Sequence, residues 1–96
     1  MLVLPAELTH AQARACAHML GQAIRSEAGS EVVADVSALT RFDSSALAVL
    51  LECRREARVI GKQFTVRSWP PRLRDLAVLY GVADLLTGTP PGQPAT

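Results

Sequence analysis

The clearest pattern of secondary structure in this sequence is found in EVVADVSALTRFDSSALAVLLECRREARVIGKQFTVR, residues 31–67. It opens with an apolar run at 32–36, which is typical of a central strand covered on both faces. It closes with KQFTVR at 62–67, where Phe64 and Val66 alternate with polar residues as in a second strand. Helical periodicity fills the segment between them, so the stretch predicts a parallel strand, helix, strand unit.

The helix of this unit is predicted over residues 44–60. Asp43 precedes it and can accept hydrogen bonds from the free amides of the first turn. Gly61 follows at the position where a left-handed residue ends many helices. One apolar sector of this helix is predicted to face the sheet, and it contains Ala46, Val49, Leu50, Cys53, Ala57 and Ile60.

The amino-terminal segment adds a strand and a helix to this unit. The run at 2–4 is short and is ended by Pro5, which predicts a brief edge strand. Thr9 and Gln12 form a capping box that starts a helix at about 10–27. Its predicted buried stripe is Ala13, Cys16, Ala17, Leu20 and Ile24.

The carboxyl-terminal segment adds a third helix that begins at the proline pair and ends at Gly81. Its predicted stripe is Leu73, Leu76, Ala77 and Tyr80, and VADLL at 82–86 adds one more turn. Residues 87–96 are rich in Pro, Gly and Thr and are predicted to be disordered. The sequence therefore predicts one α/β domain over 1–86, of βαβαβα order, with helices packed on a three- or four-stranded, mostly parallel sheet.

Charge and composition exclude several classes of function. The 10 basic and 9 acidic residues give a net charge of +1, so no nucleic-acid partner is expected. No signal segment and no run of ~18 apolar residues is found, which predicts a cytoplasmic protein without direct, stable membrane insertion. Cys16 and Cys53 lie far apart without metal-type spacing and are expected to be buried, reduced thiols.

Two leucines of the second helix fall outside its core sector. Leu47 and Leu51 lie on the same side as Arg54 and Arg58, which predicts an exposed apolar and basic ridge. The alternative is that both leucines only cover the rim of the core beside the first or third helix.

Ser44 and Ser45 open the same helix, where its dipole favours negative charge. They form either a polar cap alone or the working part of the protein. Neither histidine is placed to activate them, and no Walker loop, metal set or cofactor motif is present, so the sequence predicts a non-enzymatic protein without cofactors.

A longer stretch, residues 32–86, carries a family resemblance: VVADVSALTRFDSSALAVLLECRREARVIGKQFTVRSWPPRLRDLAVLYGVADLL. The DSS sequence before a small residue and Leu, followed about sixteen residues later by GK and a hydrophobic residue, resembles the STAS family. One branch contains anti-sigma factor antagonists, in which the position of Ser45 is phosphorylated by a partner kinase. The other is similar to the small subunit of the Mla phospholipid ABC transporter, in which the position of Ser44 contacts the ATPase. Ala46 stands where both branches usually have Gly.

The ending LRDLAVLYGVADLL resembles the transporter branch more closely. The resemblance therefore implies a subunit that binds the ATPase of a phospholipid transporter serving outer-membrane lipid asymmetry, and lies beside the inner membrane through that complex. An anti-sigma factor kinase is the alternative partner. The predicted partner-binding residues are Thr40, Asp43, Ser44, Ser45, Leu47, Leu51, Arg54 and Arg58, with Ser45 the possible phosphorylation site.

Overall fold

The computed structural model describes residues 1–87 and confirms an α/β domain in which strands and helices alternate. The predicted tail lies outside the described residues from residue 88 onward. In chain order the elements are β1 (Leu2–Val3), β2 (Glu7–Leu8), α1 (His10–Ser26), β3 (Glu31–Asp35), β4 (Arg41–Phe42), α2 (Ser44–Val59), β5 (Gln63–Arg67), α3 (Pro71–Leu79) and α4 (Ala83–Thr87).

The main sheet has three parallel strands in the order β1, β3, β5. Ala34 of the central strand pairs with Leu2 on one side and with Val66 on the other. The strands β2 and β4 form a separate parallel pair, which the sequence did not predict. Each strand has only two residues, which are too few to show an alternating pattern in the sequence.

Only one face of the main sheet is covered by the described helices. Val32, Ala34 and Val36 are buried, whereas Val33 and Asp35 between them are half-buried. The neighbouring strands repeat this alternation, since Val3 is exposed. The prediction that the central strand is covered on both faces is therefore wrong, because α1, α2 and α4 all pack into one core.

The first two helices pack side by side on that face. Arg25 of α1 and Glu56 of α2 form an ion pair of 3.2 Å across their contact. The capping box at Thr9 and Gln12 is present, and the predicted stripe of α1 packs into the core. Five of the six residues predicted for the core face of α2 are buried: Ala46, Val49, Leu50, Cys53 and Ala57.

The predicted exposure of Leu47 is wrong, because only 2% of this residue is exposed. Leu51 is half-buried and packs against the core, so the two leucines do not form an open ridge. The reason is tertiary: α4 packs against α2 and β5, and its Leu86 is fully buried in the same core as Leu47. The alternative, in which these leucines cover the rim of the core, fits the half-buried Leu51, whereas Leu47 lies inside the core.

Two residues predicted to be buried lie outside the core. Ile60 is 43% exposed and Tyr80 is 56% exposed. Both occupy the C-cap position of a helix, beyond its last regular turn. The chain then reverses through Gly61 and Gly81, whose φ angles are 77° and 72°, so the angular position expected from helical periodicity no longer applies.

Lys62 ties the end of α2 to the end of α1. Its ammonium group donates to the carbonyl of Ile24 at 3.1 Å and also to the carbonyl of Glu27. These carbonyls lie at the negative end of α1 and have no partner within the helix, so a cation there satisfies them. The lysine that follows Gly61 therefore has a structural role.

We expect Lys62→Met to lower the free energy of unfolding by about 1 kcal/mol, since it removes charge-assisted hydrogen bonds from a helix end. Urea denaturation followed by circular dichroism measures this change. Arg58→Met is the matched control, because Arg58 is exposed and forms no ion pair among the described residues. Equal stability of the two variants would contradict the capping role.

Candidate docking site

A groove of about 530 Å³ lies between the amino-terminal end of α2 and the outer side of α3. We call it the α2–α3 groove. It combines an apolar wall with hydroxyl and charged groups, and its lining residues are Phe42, Asp43, Ser44, Arg72, Asp75, Leu76, Leu79 and Tyr80.

Asp43 positions one end of this groove by capping two helices at once. Its Oδ1 accepts from the backbone N–H of Ser45 at 2.8 Å, as the sequence predicts, and its Oδ2 accepts from the backbone N–H of His10 at 3.1 Å. The carboxylate thus fixes the start of α2 relative to the start of α1. Its side chain is engaged within the domain.

The same hydrogen bonds, led by the one from Ser45, lower the pKa of Asp43. A lowered folded-state pKa means that the ionised carboxylate stabilises the fold above the unfolded-state pKa. This contribution is present at neutral pH and is lost as the pH falls through the folded-state pKa. The geometry of the amino end of α2 therefore depends on an ionised Asp43.

The two serines that follow have different environments. Ser44 is exposed, lines the groove, and its hydroxyl makes no hydrogen bond among the described residues. Ser45 is half-buried and lies outside the groove lining. Of the two serines, Ser44 is therefore the one that a molecule in the groove would meet.

The apolar wall comes from α3. Leu79 is 76% exposed and Tyr80 is 56% exposed, although both are large side chains. Near the start of the same helix, the guanidinium of Arg72 lies 5.6 Å from the centre of the Phe42 ring, within the range of a cation–π interaction. Apolar side chains exposed together beside polar groups are typical of a protein interaction surface.

The structure does not bring the remaining predicted site residues to this groove. The hydroxyl of Thr40 donates to the carbonyl of Ala6 at 3.3 Å. Arg54 and Arg58 lie about 15 Å and about 21 Å along α2 from Ser44, at 1.5 Å per residue. Leu47 and Leu51 pack with the core and do not line the groove. Of the predicted site residues, Asp43 and Ser44 are therefore the two that line it.

The contribution of α3 to the groove was not predicted from the sequence. A signal was present, because this helix carries apolar residues on more than the core side: Val78 and Leu79 lie outside the predicted stripe, between Ala77 and Tyr80. A second row on α3 consists of Arg72, Asp75, Leu76, Leu79 and Tyr80, at spacings of three, one, three and one. Such spacing places the first four residues on one side of α3, and Tyr80 follows them at the C-cap.

Other reactive groups lie apart from the groove. Cys16 and Cys53 are buried, free thiols, as predicted. Burial raises the pKa of Cys53 to about 12, so its reactive thiolate form is suppressed at neutral pH. Over residues 1–87, no three His, Cys, Asp or Glu side chains are grouped as metal ligands would be. Within the same residues, no helix has both the length and the apolar character needed to span a bilayer.

Comparisons with known proteins agree with this architecture. The family model described as "Mlab, STAS domain" matches residues 1–87. The structure described as "Structure of the Anti-Sigma Factor Antagonist SpoIIAA in its Unphosphorylated Form" has a TM-score of 0.65 and 20% sequence identity, covering 93% of this chain and 77% of that chain. No curated protein sequence matches significantly. At 20% identity the structural likeness concerns the fold alone, whereas the family match spans nearly all of the sequence: this chain belongs to the STAS domain family, in the group described as Mlab.

Proposed function

We propose that this chain is a non-enzymatic subunit that binds the ATPase of a phospholipid ABC transporter and stabilises or regulates it. It would act in the cytoplasm, beside the inner membrane through the transporter complex, in maintaining outer-membrane lipid asymmetry. The observation that carries the proposal is the α2–α3 groove, which is lined both by Ser44 and by the exposed Leu79 and Tyr80. The family described as Mlab supports the choice of partner.

The groove has the composition of a small protein interface. Its apolar wall can exclude water from the contact, which strengthens the polar contacts around it. Ser44 and Arg72 line the same groove, so their hydroxyl and guanidinium groups can fix the orientation of a partner. The interface we propose is therefore Ser44 with α3, instead of the ridge on α2 that the sequence predicted.

We expect Ser44→Asp to abolish co-purification of the transporter ATPase from cells that express both proteins. The substitution adds a negative charge beside Asp43 in a groove that must close around the partner. Ser44 is exposed at the first helical position, where an aspartate suits the helix dipole, so the thermal midpoint should remain nearly unchanged.

The matched control is Ala48→Asp, which adds the same charge to an exposed position of α2 outside the groove lining. This variant should retain the ATPase. Retention of the ATPase by Ser44→Asp as well would remove the groove from consideration. Failure of the unaltered protein to bind the ATPase would overturn the proposed function itself.

A second candidate function is that of an anti-sigma factor antagonist whose kinase phosphorylates Ser45. The observation that favours it is Ser45 itself, whose backbone N–H is already bound to Asp43. A phosphate there would take the local charge from −1 to nearly −3 and would repel a bound partner. Intact mass spectrometry of the protein from its own cells distinguishes the two, because stoichiometric phosphate at Ser45 would favour the antagonist.

A further inference from the structure

Resting on the proposed function, we infer that the partner segment held by the α2–α3 groove is an amphipathic helix that lies along α3. Its apolar stripe would pack against Leu76, Leu79 and Tyr80. An acidic side chain of that helix would face Arg72, and a basic side chain about one turn away would face Asp75.

The first support is that α3 presents two different rows of residues. Leu73 and Ala77 are fully buried and face the core of this domain. On the groove side, Leu79 and Tyr80 are exposed, whereas Leu76 is half-buried against the core and lies at the base of the groove lining. Residues three and four apart form a ridge on a helix, and such a ridge packs well into the matching groove of a second helix.

The second support is that this site suits a bound helix better than a bound extended peptide. An extended peptide could bind by adding a strand to a sheet edge, which requires a row of free backbone N–H and C=O groups. Phe42 of β4 lines the groove, but β4 has only two residues, so its edge offers few backbone groups to an added strand. The nine residues of α3, in contrast, offer about 13 Å of helix for side-by-side packing.

The third support is charge. Arg72 and Asp75 are one turn apart, and neither forms an ion pair among the described residues. Arg72 is held over the Phe42 ring, so its position is set before a partner arrives. A carboxylate and a cation about one turn apart on a partner helix would complement this pair, and complementary charges fix both orientation and register.

Photo-crosslinking to the purified ATPase tests the helical geometry. Tyr80 is replaced by p-benzoylphenylalanine, an aromatic residue of similar shape, and the crosslinked ATPase residues are identified by mass spectrometry. We expect them to lie three or four residues apart within one segment. Crosslinks two residues apart, or scattered over separate loops, would overturn the inference while leaving the proposed function intact.

Charge reversal tests the proposed pairing independently. Arg72→Glu and Asp75→Lys should each weaken ATPase binding by between about threefold and tenfold. Arg74→Glu is the matched control and should bind as the unaltered protein does, since Arg74 is exposed on α3 but does not line the groove. If Arg72→Glu and Asp75→Lys bind normally while Ser44→Asp does not bind, the inference fails and the proposed function stands. If the unaltered protein does not bind the ATPase, both fail.

Discussion

Leu47→Asp is expected to prevent the domain from folding, and Leu47→Ala to lower the free energy of unfolding by about 2 to 5 kcal/mol. Leu47 is only 2% exposed and belongs to the single apolar core of the described residues. A carboxylate at this position would be buried without a partner, whereas alanine would leave a cavity. Circular dichroism for the aspartate variant and urea denaturation for the alanine variant measure these effects.

The control for Leu47→Ala is Leu79→Ala, which removes the same atoms from a residue that is 76% exposed. Its free energy of unfolding should change by no more than about 0.5 kcal/mol. A stable, folded Leu47→Asp protein would show that this side chain is open to solvent. The docking ridge on α2 predicted from sequence would then return to consideration.

The largest effect on binding is expected from Leu79→Asp. It should weaken ATPase binding by ~30-fold or more, the range of a central apolar contact in an interface. Leu79 lies on the groove wall and is mostly exposed, so its replacement should leave the thermal midpoint within a few degrees of that of the unaltered protein. Isothermal titration calorimetry with the purified ATPase measures the dissociation constant.

Val78→Asp provides the matched control for this variant. Val78 is the preceding residue of α3 and is 61% exposed, but it does not line the groove. It should bind the ATPase as the unaltered protein does. Equal loss of binding in both variants would indicate a general effect of charge on α3, and unchanged binding in both would exclude the groove wall from the interface.

The parts of the fold that the sequence predicted depend on local chemistry. The capping box at Thr9 and the hydrogen bond from Ser45 to Asp43 mark where two helices begin, and each joins groups within three residues of one another. Gly61 ends α2 because it can adopt a positive φ angle. These signals are contained in short windows of sequence and need no knowledge of the tertiary structure.

Two features of the fold that were not correctly predicted from the sequence depend on tertiary contacts instead of local chemistry. Whether Leu47 is buried depends on the elements that pack against α2, and one of them is α4, which begins 36 positions later in the chain. The strands β2 and β4 form because the segments before α1 and α2 meet, and neither has an alternating pattern of its own. Both features arise from contacts between distant segments.

The candidate site also contains some residues that the local sequence identifies and others that only the fold brings together. Asp43 and Ser44 could be selected from the sequence because a helix N-terminus is a local feature with known chemistry. The wall formed by Leu79 and Tyr80 could not, because only the fold brings α3 beside a serine more than 30 positions earlier. Basic residues of α2 share a side of the helix with Leu47 but lie too far along its axis to join the groove.

Amide hydrogen exchange of the full chain, with and without the purified transporter ATPase, directly tests whether the ATPase docks at the α2–α3 groove. The proposed docking mode predicts slower exchange on binding at residues 42–46 and 71–80, with no change over 10–26. Slower exchange over α1 or on the open face of the sheet, with α3 unchanged, would contradict docking at the α2–α3 groove.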